Sequence, residues 1–371
     1  MSFWITNLVL FALYAIIFKR RGKDALFLLV ALVHWGGIAA FRGLYVGSDT
    51  RYYAVAYEYL ADHGYVYHHA MSNSPVYIYY LKLFSHIISS PNGYMIATSV
   101  PTMICVFYFI KRYSKNYYIS VCLFLTSYYY FISLNTGRQF LAMALTFIVF
   151  DLLIRKKYLL SVVVYLIAVG IHSAALVFGV IYIIHIIHWN FQRILLVLAV
   201  GVIGPSFVSI ISESFAKTFN YQWMISLNAI ETIKSRGGTS MVYALYCLLT
   251  ICLMTYWNLR SQHKLFLSVG GREIFGMAQM DTSEVQFNYE VIVLLMIGMV
   301  IEFFFPTYIL FSRVAYIVIL YFIVLLANAL EYLKKYRFLV KVSVLTPLFV
   351  MMLFLLERNN SGVLNYAFYG V

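Results

Sequence analysis

Twelve apolar runs, separated by short loops and basic clusters, leave this chain few ways to fold other than across a membrane. They are 3–18, 25–41, 94–110, 117–134, 140–154, 158–171, 172–188, 194–212, 240–257, 291–305, 309–330 and 339–356. Runs of roughly 15 to 20 residues, wound as tilted helices, can cross a hydrocarbon core about 30 Å thick. Charged residues make up only 11% of the 371, against 63% hydrophobic, whereas a soluble domain carries about a quarter charged. The sequence thus predicts an all-α, polytopic integral membrane protein of about 12 transmembrane helices. A single membrane-embedded domain over 1–371 is expected.

The basic clusters orient it. Lys19-Arg20-Arg21-x-Lys23, Lys111-Arg112-x-x-Lys115, Arg155-Lys156-Lys157, Arg193, Arg260 with Lys264 and Arg272, and Lys334-Lys335-x-Arg337 with Lys341 fall on one side when the runs alternate in direction. They hold 18 of the 27 Lys and Arg. Placed in the cytoplasm they satisfy the positive-inside bias and put both termini outside. The net charge of +13 is then a matter of topology and anionic membrane lipids, and nucleic acid is not an expected partner.

The stretch 75–90 (PVYIYYLKLFSHIISS) is apolar, but spanning there would reverse the Lys111 cluster. An amphipathic helix lying at the outer interface, or a re-entrant one, fits better. Two outer loops are long, 42–93 and 213–239, and one cytoplasmic loop covers 258–290. The first apolar segment has its charges behind it and no small-residue cleavage site, so it reads as a retained helix. The four cysteines lie in apolar runs without metal-ligand spacing, and buried free thiols are expected. The tyrosines Tyr128-Tyr129-Tyr130 and Tyr79-Tyr80 read as an interfacial aromatic belt or as platforms for sugar rings.

Chemistry is expected at outward helix ends. A helix running inward presents free N–H groups and its positive dipole end outside. Arg138 opens one such helix in Gly137-Arg138-Gln139, and His172 opens another in Ile171-His172-Ser173. Arg236 precedes a third, and Arg313 lies in the first turns of a fourth. Arginine's planar fork beside such an end suits phosphate oxygens. The plainer reading is snorkelling or an ion pair, such as Arg313 with Glu302. The first outer loop adds Arg42, Gly47-Ser48-Asp49-Thr50-Arg51-Tyr52-Tyr53 and Tyr57-Glu58. Asp49 is either a general base for an incoming hydroxyl or a cap for the helix that follows. His172 is a base, a phosphate ligand or a packing residue. Asp151, one turn before Arg155, reads as half of a local ion pair. His185 and His188 read as interfacial.

At these residues the chain resembles the EpsG-type family of bacterial exopolysaccharide and O-antigen polymerases, the Wzy-like proteins. Gly47-Ser48-Asp49-Thr50 with its tyrosines, Gly137-Arg138-Gln139, Ile171-His172-Ser173-Ala174 and Ser312-Arg313 carry the resemblance in order over nearly the full length. The chain departs from the family at Ser72-Asn73-Ser74-Pro75-Val76-Tyr77, where an acidic residue often precedes the proline. The resemblance implies a multi-pass protein of the bacterial cytoplasmic membrane with its site facing outward. It implies a glycosyltransferase that polymerises undecaprenyl-pyrophosphate-linked oligosaccharide repeat units. In that scheme Asp49 and His172 are the catalytic candidates. Arg42, Arg51, Arg138, Arg236, Arg313, Tyr52, Tyr53 and Gln139 would bind pyrophosphate and sugar. No cofactor or metal is expected, although a divalent ion is compatible with the scheme. A chain-length regulator and a flippase are the protein partners such a role admits. An O-antigen ligase-like transferase, or a flippase of the same lipid-linked sugar, is the alternative reading.

Overall fold

In a computed structural model the described residues are 1–65, 74–201, 233–261, 282–304, 309–333 and 337–370, with a few positions between 268 and 280. For 233–238, 282, 304 and 309–312 only the backbone is described. The chain divides into two compact units, Met1–Leu176 with Lys341–Val371, and Val177–Val340.

The first unit holds α1 (Ser2–Arg20), α2 (Asp24–Ala40), α3 (Thr50–His63), α4 (Pro75–Ser85), α5 (Asn92–Tyr113), α6 (Tyr117–Thr126), α7 (Tyr129–Asn135), α8 (Gly137–Ile154) and α9 (Tyr158–Ile171). The 3₁₀ turn Ser173–Gly179 leads into the second unit, with α10 (Val180–Ile186) and α11 (Phe191–Gly201). There follow α12 (Ile233–Ser261), α13 (Thr282–Phe304), α14 (Ile309–Ile319) and α15 (Phe322–Glu331). Helix α16 (Arg337–Glu357) returns to the first unit. Two-residue strands, β1 (Ser268–Val269) and β2 (Arg272–Glu273), form a small hairpin.

The all-helical architecture agrees with the apolar pattern. Among the described residues, seven helices are long and apolar enough to cross a membrane, or eight if the bent pair α6–α7 is one span. The remaining predicted spans appear as the shorter apolar helices 24–40, 158–171, 173–186 and 191–201, so the described residues do not establish a count of about 12. The first outer loop holds α3 and α4, where a helix after Asp49 and one within 75–90 were expected. Helix α4 has 11 residues, about 16 Å of rise against a core of about 30 Å, too short to cross. Helix α12 starts at 233 and α13 at 282, which shortens the expected loops 213–239 and 258–290. Residues 213–232 of the outer loop lie outside the described residues.

Helices α5 and α8 are the buried centre of the first unit, while α1 and α16 turn Val9, Leu13, Leu339 and Val350 outward. Such outward apolar side chains suit lipid contact. Helix α5 runs alongside α8 in the same direction: Thr98 approaches Gly137 at one end, and Arg112 meets Asp151 at the other. The α6–α7 pair bends by 55° at Tyr128, whose φ of 69° is left-handed. Tyr128, Tyr129 and Tyr130 are fully buried, and Tyr130 Oη donates to the Trp35 carbonyl at 2.8 Å. They are thus neither an interfacial belt nor an open sugar platform; they fill the space the break creates. Tyr79 is 65% exposed. None of the four cysteines is bridged, but Cys252 is exposed instead of buried.

In the second unit, Glu290 of α13 is buried and pairs with His185 Nδ1 at 3.1 Å. His185 therefore answers a buried carboxylate instead of marking an interface. Asn258 and Asn288 join α12 to α13 through a 3.0 Å hydrogen bond.

Candidate functional site

Two segments far apart in sequence meet at one end of the first unit. Gly47-Ser48-Asp49-Thr50 leads into α3, and Asn135-Thr136-Gly137-Arg138 joins α7 to α8. Asn135 Oδ1 accepts the Asp49 backbone N–H at 2.8 Å and the Ser48 hydroxyl at 3.2 Å. The buried Thr50 hydroxyl donates to the Val46 carbonyl at 2.8 Å and lies 3.2 Å from that of Leu134. Gly47 has φ +97°, and a Cβ there would lie 2.5 Å from Thr50 Oγ1 and 2.7 Å from the Leu134 oxygen. Both the left-handed backbone and the close approach require glycine.

A third segment, following α16, straps this junction. Gly47 N–H donates to the Gly362 carbonyl at 2.8 Å, Ser48 N–H to Ser361 at 3.3 Å, Gly43 N–H to Ala367 at 2.7 Å, and Tyr369 N–H to Phe41 at 2.9 Å. Trp4 Nε1 donates to the Val363 carbonyl at 2.8 Å. Phe3 stacks on Tyr366 with ring centres 4.0 Å apart, so both ends of the chain lie beside the junction. No catalytic or binding motif marks this segment in the sequence. Its only signals were the turn-forming Asn359-Asn360-Ser361-Gly362 and the aromatics after it.

Asp49 holds the N-cap position of α3, yet its side chain makes no cap hydrogen bond, so capping does not account for it. The carboxylate is half-buried and forms no ion pair with any described residue. Arg42 is fully buried. Its Nη1 donates to Ser99 Oγ at 2.8 Å and to the Ala39 carbonyl. Its Nε and Nη2 have no partner, and neither do the hydroxyls of Tyr77 and Tyr94. Both tyrosines sit within electrostatic reach of Arg42 and of Arg138. The two hydroxyls also neighbour each other. Buried polar atoms left open cost folding free energy, and a cluster of them calls for an explanation.

Arg138, second residue of α8, is half-buried. Its Nη1 donates to Ser74 Oγ at 3.2 Å, and its guanidinium lies 5.9 Å from the ring centres of both Tyr53 and Tyr77. Ser74 belongs to the stretch where the resemblance led us to expect an acidic residue; here a neutral hydroxyl faces the arginine. Tyr53 stacks on Tyr94 at 5.7 Å, and the exposed Tyr52 stands edge-on to Tyr53 at 5.3 Å. Arg51 is exposed over the Tyr45 ring at 5.2 Å. Gln139 is buried in α8.

His172 ends α9 in extended backbone. Its Nδ1 accepts the Ala174 N–H at 3.2 Å, which leaves the ring proton on Nε2 in the neutral form. Two residues earlier, Gly170 sits so close to Val76 that a Cβ would lie 2.4 Å from its Cγ2. The end of α9 thus abuts the start of α4, where Ser74 takes Arg138. Arg313 is exposed on α14 in the second unit. The Arg236 side chain lies outside the described residues. Among the described residues no group of three or more His, Cys, Asp or Glu is placed to hold a metal ion.

The far end of the unit is different. Asp151, 2% exposed, accepts from Tyr108 Oη at 2.8 Å and Tyr113 Oη at 2.7 Å. It also pairs with Arg155 Nε at 3.0 Å and Arg112 Nε at 3.6 Å, so the expected ion pair is one spoke of a larger clasp. The Lys111 and Arg155 clusters therefore gather at the end opposite the motif residues, as the alternating topology requires.

A family model matches residues 24–368, and by that match the chain belongs to the EpsG family, a family of polysaccharide polymerase-like membrane proteins. No curated protein and no solved structure matches it.

Proposed function

We propose that this EpsG-family protein is a glycosyltransferase that joins undecaprenyl-pyrophosphate-linked oligosaccharide repeat units on the outer face of the bacterial cytoplasmic membrane. One observation carries the reading: Arg42, Tyr77 and Tyr94, buried with donors unspent, lie beside Arg138 at the junction of the two motif segments. Unspent donors around two cations fit an anionic, oxygen-rich ligand, and a lipid pyrophosphate is the energised sugar donor available outside the cell.

In this reading Arg138 and Arg42 hold the pyrophosphate and stabilise the charge that builds on it as it leaves. The acceptor sugar hydroxyl attacks the anomeric carbon. The new C–O bond forms as the bond from that carbon to the pyrophosphate oxygen breaks, and Asp49 takes the hydroxyl proton. Asp49 suits the base better than His172, since its carboxylate is uncommitted while His172 Nδ1 is occupied. His172, with its proton on Nε2, serves as a donor towards the pyrophosphate. Tyr52, Tyr53 and Arg51 face the sugar, and Gln139 sets the first turn of α8. No cofactor enters the scheme.

The test incubates purified protein in lipid with an undecaprenyl-pyrophosphate oligosaccharide and resolves the products by size. A ladder spaced by one repeat unit is expected. Unchanged donor from folded protein, with a chemically verified substrate, would overturn the assignment.

A further inference from the structure

At the end of the first unit opposite the motif residues, an open cavity of about 540 Å³ lies between the α1–α2 turn and the α5–α6 turn. It is lined by Lys19, Asp24, Ser114, Lys115, Asn116 and Tyr118, among others. One lysine from each of two basic clusters lines it, Lys19 of Lys19-Arg20-Arg21-x-Lys23 and Lys115 of Lys111-Arg112-x-x-Lys115.

The walls are built. Tyr118 Oη donates to Asp24 Oδ1 at 2.8 Å, Lys19 Nζ stands 5.7 Å from the centre of the same ring, and Phe27 stacks on that ring at 4.1 Å. The one carboxylate in the lining is therefore already engaged by a hydroxyl, and Arg112 is drawn away to Asp151. Two helices, α2 and α6, begin at lining residues, so their free first-turn N–H groups add positive potential. Asn116 caps one of those groups, accepting from the Ile119 N–H at 3.1 Å. Volume, charge and position together suit a phosphate-bearing headgroup. Basic pockets between membrane helices on the cytoplasmic side take such groups.

We propose that this cavity is a binding site for the phosphodiester headgroup of an anionic phospholipid from the leaflet facing the basic clusters. It is separate from the site that binds the sugar donor and does not depend on the reading of that site. Lys19 and Lys115 contact the phosphate, and Tyr118 holds Lys19 and Asp24 in place.

The experiment titrates the detergent-solubilised full-length protein with phosphatidylglycerol and counts retained lipids by native mass spectrometry, with phosphatidylcholine and inorganic phosphate as separate arms. Wild-type protein should retain phosphatidylglycerol over phosphatidylcholine. The double variant Lys19→Gln, Lys115→Gln should weaken that retention about twenty-five-fold, from about fivefold per lysine near a charged surface. Asp24→Asn should strengthen it, which keeps the test informative if the double variant fails to fold. Equal retention of both lipids, or no response to either substitution, overturns the proposal. Inorganic phosphate that displaces the lipid and shows the same dependence on the variants also overturns it, in favour of a site for a free anion.

Discussion

The two ends of helix α8 solve the same problem in opposite ways. At Asp151 a buried carboxylate is met by two hydroxyls and two guanidinium groups. At the other end Arg42 is buried beside two tyrosine hydroxyls, and four polar atoms in that group have no partner. A structure optimised only for stability would treat both ends like Asp151. The difference teaches that the Arg42 end gives up stability, which is expected where a ligand completes the hydrogen bonds.

Breaking the open end should show chiefly in activity. Arg138→Ala should lower polymer formation by about a hundredfold or more, the size expected for losing one charge-stabilising donor, with membrane insertion and thermal unfolding unchanged. The ladder assay and a melting curve read the two quantities separately. Arg42→Met sharpens the contrast, because an apolar chain of similar length removes two open donors. Its thermal midpoint should hold or rise while polymer formation falls at least about tenfold, since one ligand-facing cation is gone. A lower midpoint with full activity would mean Arg42 is structural.

The closed end should respond the other way. Asp151→Asn keeps the shape but loses the charge that the arginines answer, and should cost about 1.5–3 kcal/mol of stability. Turnover per folded molecule should stay at the wild-type value, as activity normalised to folded protein would report. The smallest effect is expected at Asn135→Ala, where the Asp49 N–H and Ser48 hydroxyl lose an acceptor worth about 1 kcal/mol. Asp49 would then be held less well, giving a few-fold loss of turnover with the donor KM little changed.

Most of the helices were legible because a spanning helix must be apolar throughout, and that shows in any window of sequence. The junction of Gly47–Thr50 with Gly137–Arg138 was half legible. Each motif stood out by its residue types, but that Asn135 joins them could not be read, since an asparagine two residues before a glycine looks like any turn residue. Tyr128–Tyr130 misled for a related reason: a tyrosine at a lipid interface and one filling a bend have the same composition. Helices α3 and α4 could be read inside the first outer loop, α3 from the capping pattern at Asp49-Thr50 and α4 from the apolar stretch after Pro75, but their packing on the ends of α8 and α9 could not. The strap after α16 was illegible because it joins the site through backbone N–H and C=O groups, which every residue possesses.

That strap also sets an order of events. The loop that presents Asp49 is synthesised hundreds of residues before its partners at Ser361, Gly362 and Ala367. Until α16 has been inserted, Gly43, Gly47 and Ser48 lack the carbonyls that hold them. The Asp49 loop therefore reaches its final geometry only once α16 and the strap behind it have been made and packed onto the first unit, which ties its assembly to chain synthesised hundreds of residues later.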